Sequence, residues 1–249
     1  MRLDAYLASC AMTASRSSAA SLIKNGFVTV DGVPVTKCAY DVPSNALVEI
    51  LENDLQPFVG RGGVKLAHAL DVFGVDAYGR RCADIGASTG GFTDCLLSHG
   101  ASFVYAVDAG HGQLDKRLAA DARVKNLEGV NARFLDLSAV DGLPVGLAVM
   151  DVSFISQTLL YPALLAITSP GADVITLIKP QFEVGRAHIG KNGVVKDEKA
   201  RAAAVKTVQD AAAACGFTVL GVTESPVKGG SGNTEYLMHM KKGDDSHAS

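Results

Sequence analysis

Asp84-Ile85-Gly86-Ala87-Ser88-Thr89-Gly90-Gly91-Phe92-Thr93-Asp94 joins the end of a buried strand to a glycine-rich turn and the start of a helix. Apolar residues around Cys82 and Ala83 lead in, small residues open the backbone to a ligand, and Phe92 to Leu97 resumes helical spacing. The stretch reads as a nucleotide cradle, and its spacing narrows the nucleotide. A phosphate-binding P-loop ends in Gly-Lys-Ser/Thr, whose lysine neutralises phosphate, and no lysine lies here. A dinucleotide fingerprint runs G-x-G-x-x-G, whereas this turn is Gly86-x-x-x-Gly90-Gly91 behind an aspartate, which disfavours NAD. S-adenosylmethionine ends in an ammonium and a carboxylate, which an acid at a strand end and open backbone amides suit. The expectation is an S-adenosylmethionine site with Asp84, Gly86, Ala87, Ser88, Thr89 and Gly90 at the methionine end. The plainer alternative is a tight strand-to-helix turn that binds nothing.

Outward from the turn, strand and helix patterns alternate from Arg61 onward, which predicts an α/β, doubly wound, Rossmann-like domain over 61–243. Val64 to Phe73 is a leading helix, and Phe103-Val104-Tyr105-Ala106-Val107 is a strand ending at Asp108. An acid at the end of the second strand, about 20 residues past the glycine turn, accepts hydrogen bonds from ribose hydroxyls in such folds. Asn131-Ala132-Arg133-Phe134-Leu135-Asp136 reaches the loop where an adenine would lie, with Asp136 as its acid. Gly146 to Met150 is an apolar strand ending at Asp151, and Asp173 to Ile178 is another ending at Lys179. Two parallel strands thus deliver an acid and a lysine to one carboxyl edge, where open α/β sheets place their ligands. Thr218 to Val222 and Thr234 to His239, separated by the glycine-rich Lys228 to Asn233, read as an antiparallel closing pair.

The uncharged run from Val152 to Ala172 is long enough to cross a bilayer. Pro162, Pro170 and Gly171 interrupt it and six Ser, Thr and Gln side chains make it polar, so it reads as a buried amphipathic helix packed on the sheet. Five cysteines, odd in number and without a C-x-x-C pair, point to a reducing compartment and no zinc site. Met1-Arg2-Leu3-Asp4 lacks the apolar core of a signal peptide, and the protein is expected in the cytoplasm. A net charge of −3 gives no global attraction for nucleic acid, so affinity for RNA must come from local patches.

Residues 1–51 form a small α+β module ahead of a linker at 52–60, and 244–249 is a disordered tail. Arg2 to Leu7 and Ser17 to Lys24 read as short helices, the second stopping at Asn25-Gly26. Phe27 to Val30 and Val33-Pro34-Val35 flank an Asp31-Gly32 hairpin turn, and Ala46 to Ile50 is a last strand. Through Arg2-Leu3-Asp4, Ser15-Arg16-Ser17, Leu22-Ile23-Lys24-Asn25-Gly26 and Val28-Thr29-Val30-Asp31-Gly32, the module resembles the RNA-binding domain shared by a ribosomal small-subunit protein, some pseudouridine synthases and tyrosyl-tRNA synthetases. That resemblance implies that Arg2, Arg16 and Lys24 face RNA phosphates, although four bases are balanced by four acids across 1–50.

Arg61-Gly62-Gly63-Val64-Lys65-Leu66, the Asp84 to Asp94 turn, Asp151-Val152-Ser153-Phe154-Ile155-Ser156, Ile178-Lys179-Pro180-Gln181-Phe182-Glu183 and Ser231-Gly232-Asn233-Thr234-Glu235 together resemble the TlyA, or hemolysin A, family. The resemblance implies methyl transfer from S-adenosylmethionine to a ribose 2′-hydroxyl of ribosomal RNA, in a fold similar to FtsJ-type methyltransferases. It implies a catalytic tetrad of Lys65, Asp151, Lys179 and Glu235, with Arg61 on an RNA-facing rim. It also implies a cytidine target, and the short N-terminal start leans toward the large subunit. No metal and no obligate protein partner are implied. The chemistry suits the tetrad, because a ribose hydroxyl is a weak acid whose oxygen must attack the sulfonium methyl in line. Lys179 is the expected base, its pKa lowered by Lys65 and a partly dry site, with Asp151 and Glu235 orienting the two ammonium groups. Two other readings are a non-catalytic ribosome-assembly factor and, from the hemolysin label, a membrane-active protein.

Overall fold

The computed structural model describes residues 1–10, 12–13, 16–24, 26–50, 58–185 and 188–243, which form two compact units, Met1–Pro57 and Phe58–Ser249. Positions 52–57 of the expected linker, the tail expected at 244–249 and the Lys24 side chain lie outside the described residues. Phe58 to Gly60, read from sequence as the end of the linker, belong to the second unit. Val59 N donates to Asp94 Oδ2 at 2.8 Å, which ties this segment to the glycine turn.

In the first unit α1 (Leu3–Ser9) and α2 (Arg16–Lys24) pack on a sheet of β1 (Val28–Val30), β2 (Val33–Pro34) and β3 (Val48–Ile50), ordered β2-β1-β3 and antiparallel throughout. Asp31 and Gly32 both take positive φ, 51° and 75°, as a two-residue hairpin turn of matching twist requires. Leu3, Leu7, Ala19, Ile23, Val28 and Val30 are buried together, the helical members at the i, i+4 spacing of one face. The last strand starts at Val48, two residues later than the alternation predicted.

The second unit runs α3 (Arg61–Phe73), β4 (Arg81–Ile85), α4 (Gly91–Ser98), β5 (Phe103–Asp108), α5 (Lys116–Ala119), β6 (Val124–Glu128), β7 (Val145–Met150), α6 (Tyr161–Ile167), β8 (Thr168–Ile178), α7 (Pro180–Glu183), α8 (Glu198–Cys215), β9 (Phe217–Glu224) and β10 (Tyr236–Lys242). Its seven strands are ordered β6-β5-β4-β7-β8-β10-β9. The first five are parallel, and β10 runs antiparallel to both β8 and β9. The chain order reverses at β4, flanked by β5 and β7, and the carboxyl edge of these strands is the topological switch point where a ligand crevice opens.

Strand periodicity sorts the core into two layers. Cys82, Val104, Leu147 and Ile175 face Leu66, Leu70 and Leu96 of α3 and α4. Ala83, Tyr105, Ala148 and Val174 face Leu164, Ile167, Val208 and Ala212 of α6 and α8. Helix α8 buries Ala200, Ala204, Val208 and Ala212, a stripe of four-residue spacing between an Asp197 N-cap and Gly216 in the left-handed region.

The uncharged run at 152–172 is not one helix. It divides into a loop, a 3-10 turn at Gln157–Leu160, the seven-residue α6 and the start of β8. Strand β8 begins at Thr168, five residues before the expected start. Pairing with β7 shifts register between Val145 and Leu147, which absorbs Pro170 and Gly171 as an irregularity. Among the described residues no helix is long and apolar enough to cross a membrane.

Candidate active site

A cleft of about 640 Å³ opens at the carboxyl edge, with Gly86, Ser88, Asp108, Asn131, Asp151 and Ser153 among its lining residues. Gly86 has φ 84°, and a Cβ there would sit 2.5 Å from the Asp151 carbonyl oxygen, so only glycine lets the cradle pass this close to the end of β7. Ser88 also takes positive φ, 49°, and its N–H donates to Asp108 Oδ2 at 2.8 Å. The Gly110 N–H donates to Asp108 Oδ1 at 2.7 Å, so Asp108 clamps the turns after β4 and β5 while lining the cleft, and each carboxylate oxygen can accept a further hydrogen bond.

The rest of the turn is scaffold. Ala87 is buried with its N–H on the Val107 carbonyl, the Thr89 carbonyl accepts from Asp115 N, and Gly90 caps α4 in the left-handed region. Asp84 does not line the cleft. It shares strand parity with Cys82 and so points beneath α4, fully buried, where Oδ2 accepts from Thr93 Oγ1 at 2.7 Å and Oδ1 has no hydrogen-bond partner. Burial, with the like charges of Asp151 and Asp108, pushes its carboxyl up to about 7, against the bond from Thr93.

Asp136 is likewise displaced from its expected place. It is an exposed N-cap whose Oδ1 accepts from Ser138 N and Oγ at 2.8 Å and 2.5 Å, and that bonding holds its carboxyl below the usual range. The residues of that loop that line the cleft are Asn131 and Ala132, five and four positions earlier. Sequence reading also missed Glu128, which accepts N–H bonds from Gly112, Gln113 and Leu114. These bonds fix the loop after β5 and bring the Glu128 carboxyl down to about 2.

The four residues of the expected tetrad form two ion pairs. Lys65 on α3 places Nζ 2.6 Å from Glu235 Oε2, both side chains buried, and Lys179 places Nζ 2.5 Å from Asp151 Oδ1. Backbone pairing sets this arrangement. Tyr236 faces Ile178, so Glu235 and Lys179 adjoin that pair at the sheet edge, while Ile85 faces Met150, so Gly86 and Asp151 follow together. Lys179 also donates to Ser153 Oγ at 2.9 Å. Phe154 takes φ 66°, is 92 % exposed at the cleft, and lies 5.2 Å from the Phe182 ring. Neither Ser153 nor Phe154 carried a role in the sequence reading. The signal available was their place within the Asp151 to Ser156 motif.

Arg61 opens α3 and is half-buried, its guanidinium 3.8 Å from where a Gly230 Cβ would stand. In the first unit Arg2 and Arg16 converge on the buried Asp4, with Nη2 atoms 2.9 Å and 3.1 Å from Oδ2, and both guanidiniums are more than half exposed.

The donor set fits S-adenosylmethionine. A glycine turn suits its carboxylate, Asp108 its ribose hydroxyls and the Asn131 amide its adenine. Fold and site define a Rossmann-like methyltransferase, and a model of the FtsJ-like methyltransferase family matches residues 58–242, while a model of the S4 domain matches residues 1–48. The 16S/23S rRNA (cytidine-2′-O)-methyltransferase TlyA of Mycobacterium tuberculosis is 44% identical over 240 residues, covering 96% of this chain and 89% of that protein. The 23S rRNA (cytidine-2′-O)-methyltransferase TlyA of Campylobacter jejuni is 32% identical, covering 97% and 100%. A solved structure of a hemolysin candidate from Streptococcus thermophilus superposes with a TM-score of 0.78 at 38% identity, covering 98% and 89%. The chain belongs to the TlyA, or hemolysin A, family.

Proposed function

We propose that this chain uses S-adenosylmethionine to methylate the 2′-hydroxyl of a cytidine in ribosomal RNA, with the large subunit as its target, in the cytoplasm where ribosomal subunits are found. The observation that carries the proposal is the delivery of two lysine–carboxylate pairs to the sheet edge that also carries the Gly86 cradle and Asp108. The relatives from Mycobacterium tuberculosis and Campylobacter jejuni are both named for cytidine 2′-O-methylation, and 23S RNA is the target their names share.

When bound, S-adenosylmethionine supplies an electrophilic methyl on a positive sulfur. The chain's own residues do the rest. The turn at Gly86 and Ser88 gives the carboxylate end its place in the cleft, Asp108 receives ribose hydroxyls and Asn131 meets the base. Lys179, as the neutral amine, accepts the proton of the target hydroxyl while its oxygen bonds to the methyl carbon, and Asp151 holds the resulting ammonium. The buried Lys65–Glu235 pair fixes the neighbouring wall. Reaching a ribose hydroxyl at the base of a cleft requires its nucleotide to leave the stack, and Phe154, exposed and backed by Phe182, offers a face for the extruded base.

Radiolabelled methyl transfer to large ribosomal subunits from cells lacking the protein tests the proposal. Lys179→Ala is expected to lower the rate by about 10²–10⁴-fold, the usual worth of a positioned general base. Full activity in that variant would remove the mechanism.

A further inference from the structure

A base must do more than sit near its proton, because its lone pair has to point at it. A neutral lysine amine is tetrahedral at nitrogen, with one direction taken by Cε, two by hydrogens and one by the lone pair. Rotation about the Cε–Nζ bond exchanges the last three. Lys179 Nζ stands 2.5 Å from Asp151 Oδ1 as an ion pair outside hydrogen-bond geometry, and it donates a hydrogen bond to Ser153 Oγ at 2.9 Å. Asp151 alone would hold the nitrogen in place without fixing any one hydrogen, and the lone pair would share all three directions.

We propose that Ser153 is a positioning residue that takes one N–H of neutral Lys179 at the wall of the cleft and so limits the directions left to its lone pair, presenting it to the target hydroxyl. The inference deepens the assignment of Lys179 as base and rests on it. The rest of the loop is built to keep Ser153 in place. Ser156 Oγ and Gln157 N donate to the carboxylate of Glu183 at 2.6 Å and 3.0 Å, and Phe154 packs against Phe182. Glu183 and Phe182 both lie on α7, which begins directly after Lys179, so the serine and the lysine it orients are tied to one short helix. Ser153 lines the cleft and its side chain is exposed, leaving its own O–H free to donate outward. The proton count is unchanged by the serine. The hydroxyl proton goes to Lys179, the oxygen–methyl bond forms as the sulfur–methyl bond breaks, and Ser153 accepts a hydrogen bond throughout.

Single-turnover methylation of large ribosomal subunits from cells lacking this protein, with S-adenosylmethionine saturating, decides the matter for four proteins: parent, Ser153→Ala, Ser153→Thr and Lys179→Ala. Ser153→Ala is expected to react about tenfold more slowly, with S-adenosylmethionine affinity, subunit KM and thermal midpoint all within twofold or a few degrees of the parent. Ser153→Thr, which restores the hydroxyl at an exposed position, is expected to recover the rate to within threefold. An unchanged rate in Ser153→Ala beside an inactive Lys179→Ala overturns the role of Ser153 and leaves the base assigned. A loss in Ser153→Ala that falls on KM or cofactor affinity instead of the rate, or one that threonine does not restore, also overturns it. An active Lys179→Ala overturns the base itself.

Discussion

Strand β8 carries an ionic cluster near each end, and the two are built differently. Where regular pairing with β7 begins, Asp173 is closed on all sides. Arg80 Nη1 lies 2.7 Å from Oδ2, His239 Nε2 lies 2.8 Å from Oδ1, and Lys241 Nζ lies 3.5 Å away. Burial pushes the Asp173 carboxyl up, but bonds from Arg80 and His239 and the Lys241 charge outweigh it and leave the group below its ordinary value. Just past the other end, Lys179 meets Asp151 and Ser153, both of which line the cleft. A buried charge pair in this sheet is therefore not by itself a site. The mark of the site is that its partners line the cleft, which none of the Asp173 cluster does.

That contrast is broken most directly at its closed end. Asp173→Ala strands Arg80 and His239 and is expected to cost about 3 kcal/mol in denaturant unfolding, while methyl transfer per folded molecule stays within twofold. Because the folded carboxyl titrates below the ordinary 3.8, its contribution is complete above that pH and fades as pH falls through the lowered value, so the penalty should shrink in acid. Lost turnover in the folded variant would mean that the closed cluster also serves catalysis.

Asp84 is the opposite extreme, a buried acid with no cation. Its folded value, raised to about 7, means that stability is lost as pH rises from 3.8 toward 7. In the protein without cofactor, Asp84→Asn is expected to gain on the parent across that window, to as much as about 4 kcal/mol at pH 8, and to match it near pH 3. A pH-independent difference between the two unfolding curves would contradict the buried, strained carboxyl.

Asp4 lies between these cases, buried itself but holding two exposed guanidiniums. Hydrogen bonding from Arg2, opposed by burial and aided by Arg16, brings its carboxyl down to about 2. Replacing it by asparagine removes a negative charge from the module, and charge alone would tighten RNA binding. If Asp4 aims both arginines at one phosphate, the sign reverses, and filter binding to ribosomal RNA at fixed salt is expected to weaken about threefold. Tighter binding would reduce Asp4 to a neutralising charge.

Much of this was legible in the sequence, for reasons that differ between residues. Lys65, Asp151, Lys179 and Glu235 come together because each stands at or near the end of an element whose apolar pattern is plain, and sheet register does the rest. Asp108 falls in the cleft because it ends β5. Asp84 was harder to place, since being near a strand end says nothing of which face a side chain takes. Counting parity from Cys82 would have put it under α4. Asp136 was chosen for its charge, whereas the cleft takes the amide of Asn131, because the 3-10 turns after it carry the chain away. Helix α8 had no reading, although its Asp197 cap, alanine stripe and Gly216 stop were all present. The hydrogen bond from Lys179 to Ser153 was beyond reach, because contacts between loops depend on χ angles that no periodicity encodes.

Phe154 sits where the backbone favours glycine, at a left-handed φ that costs a bulky side chain about 1–2 kcal/mol. Its ring recovers little of that, being almost wholly in water. A redesign of this chain for thermostability alone would therefore replace Phe154 with glycine among its first changes, and would return a protein easier to handle and poorer at holding a base. Folding and function draw this position toward different amino acids, and the chain has kept the one that does not help it fold.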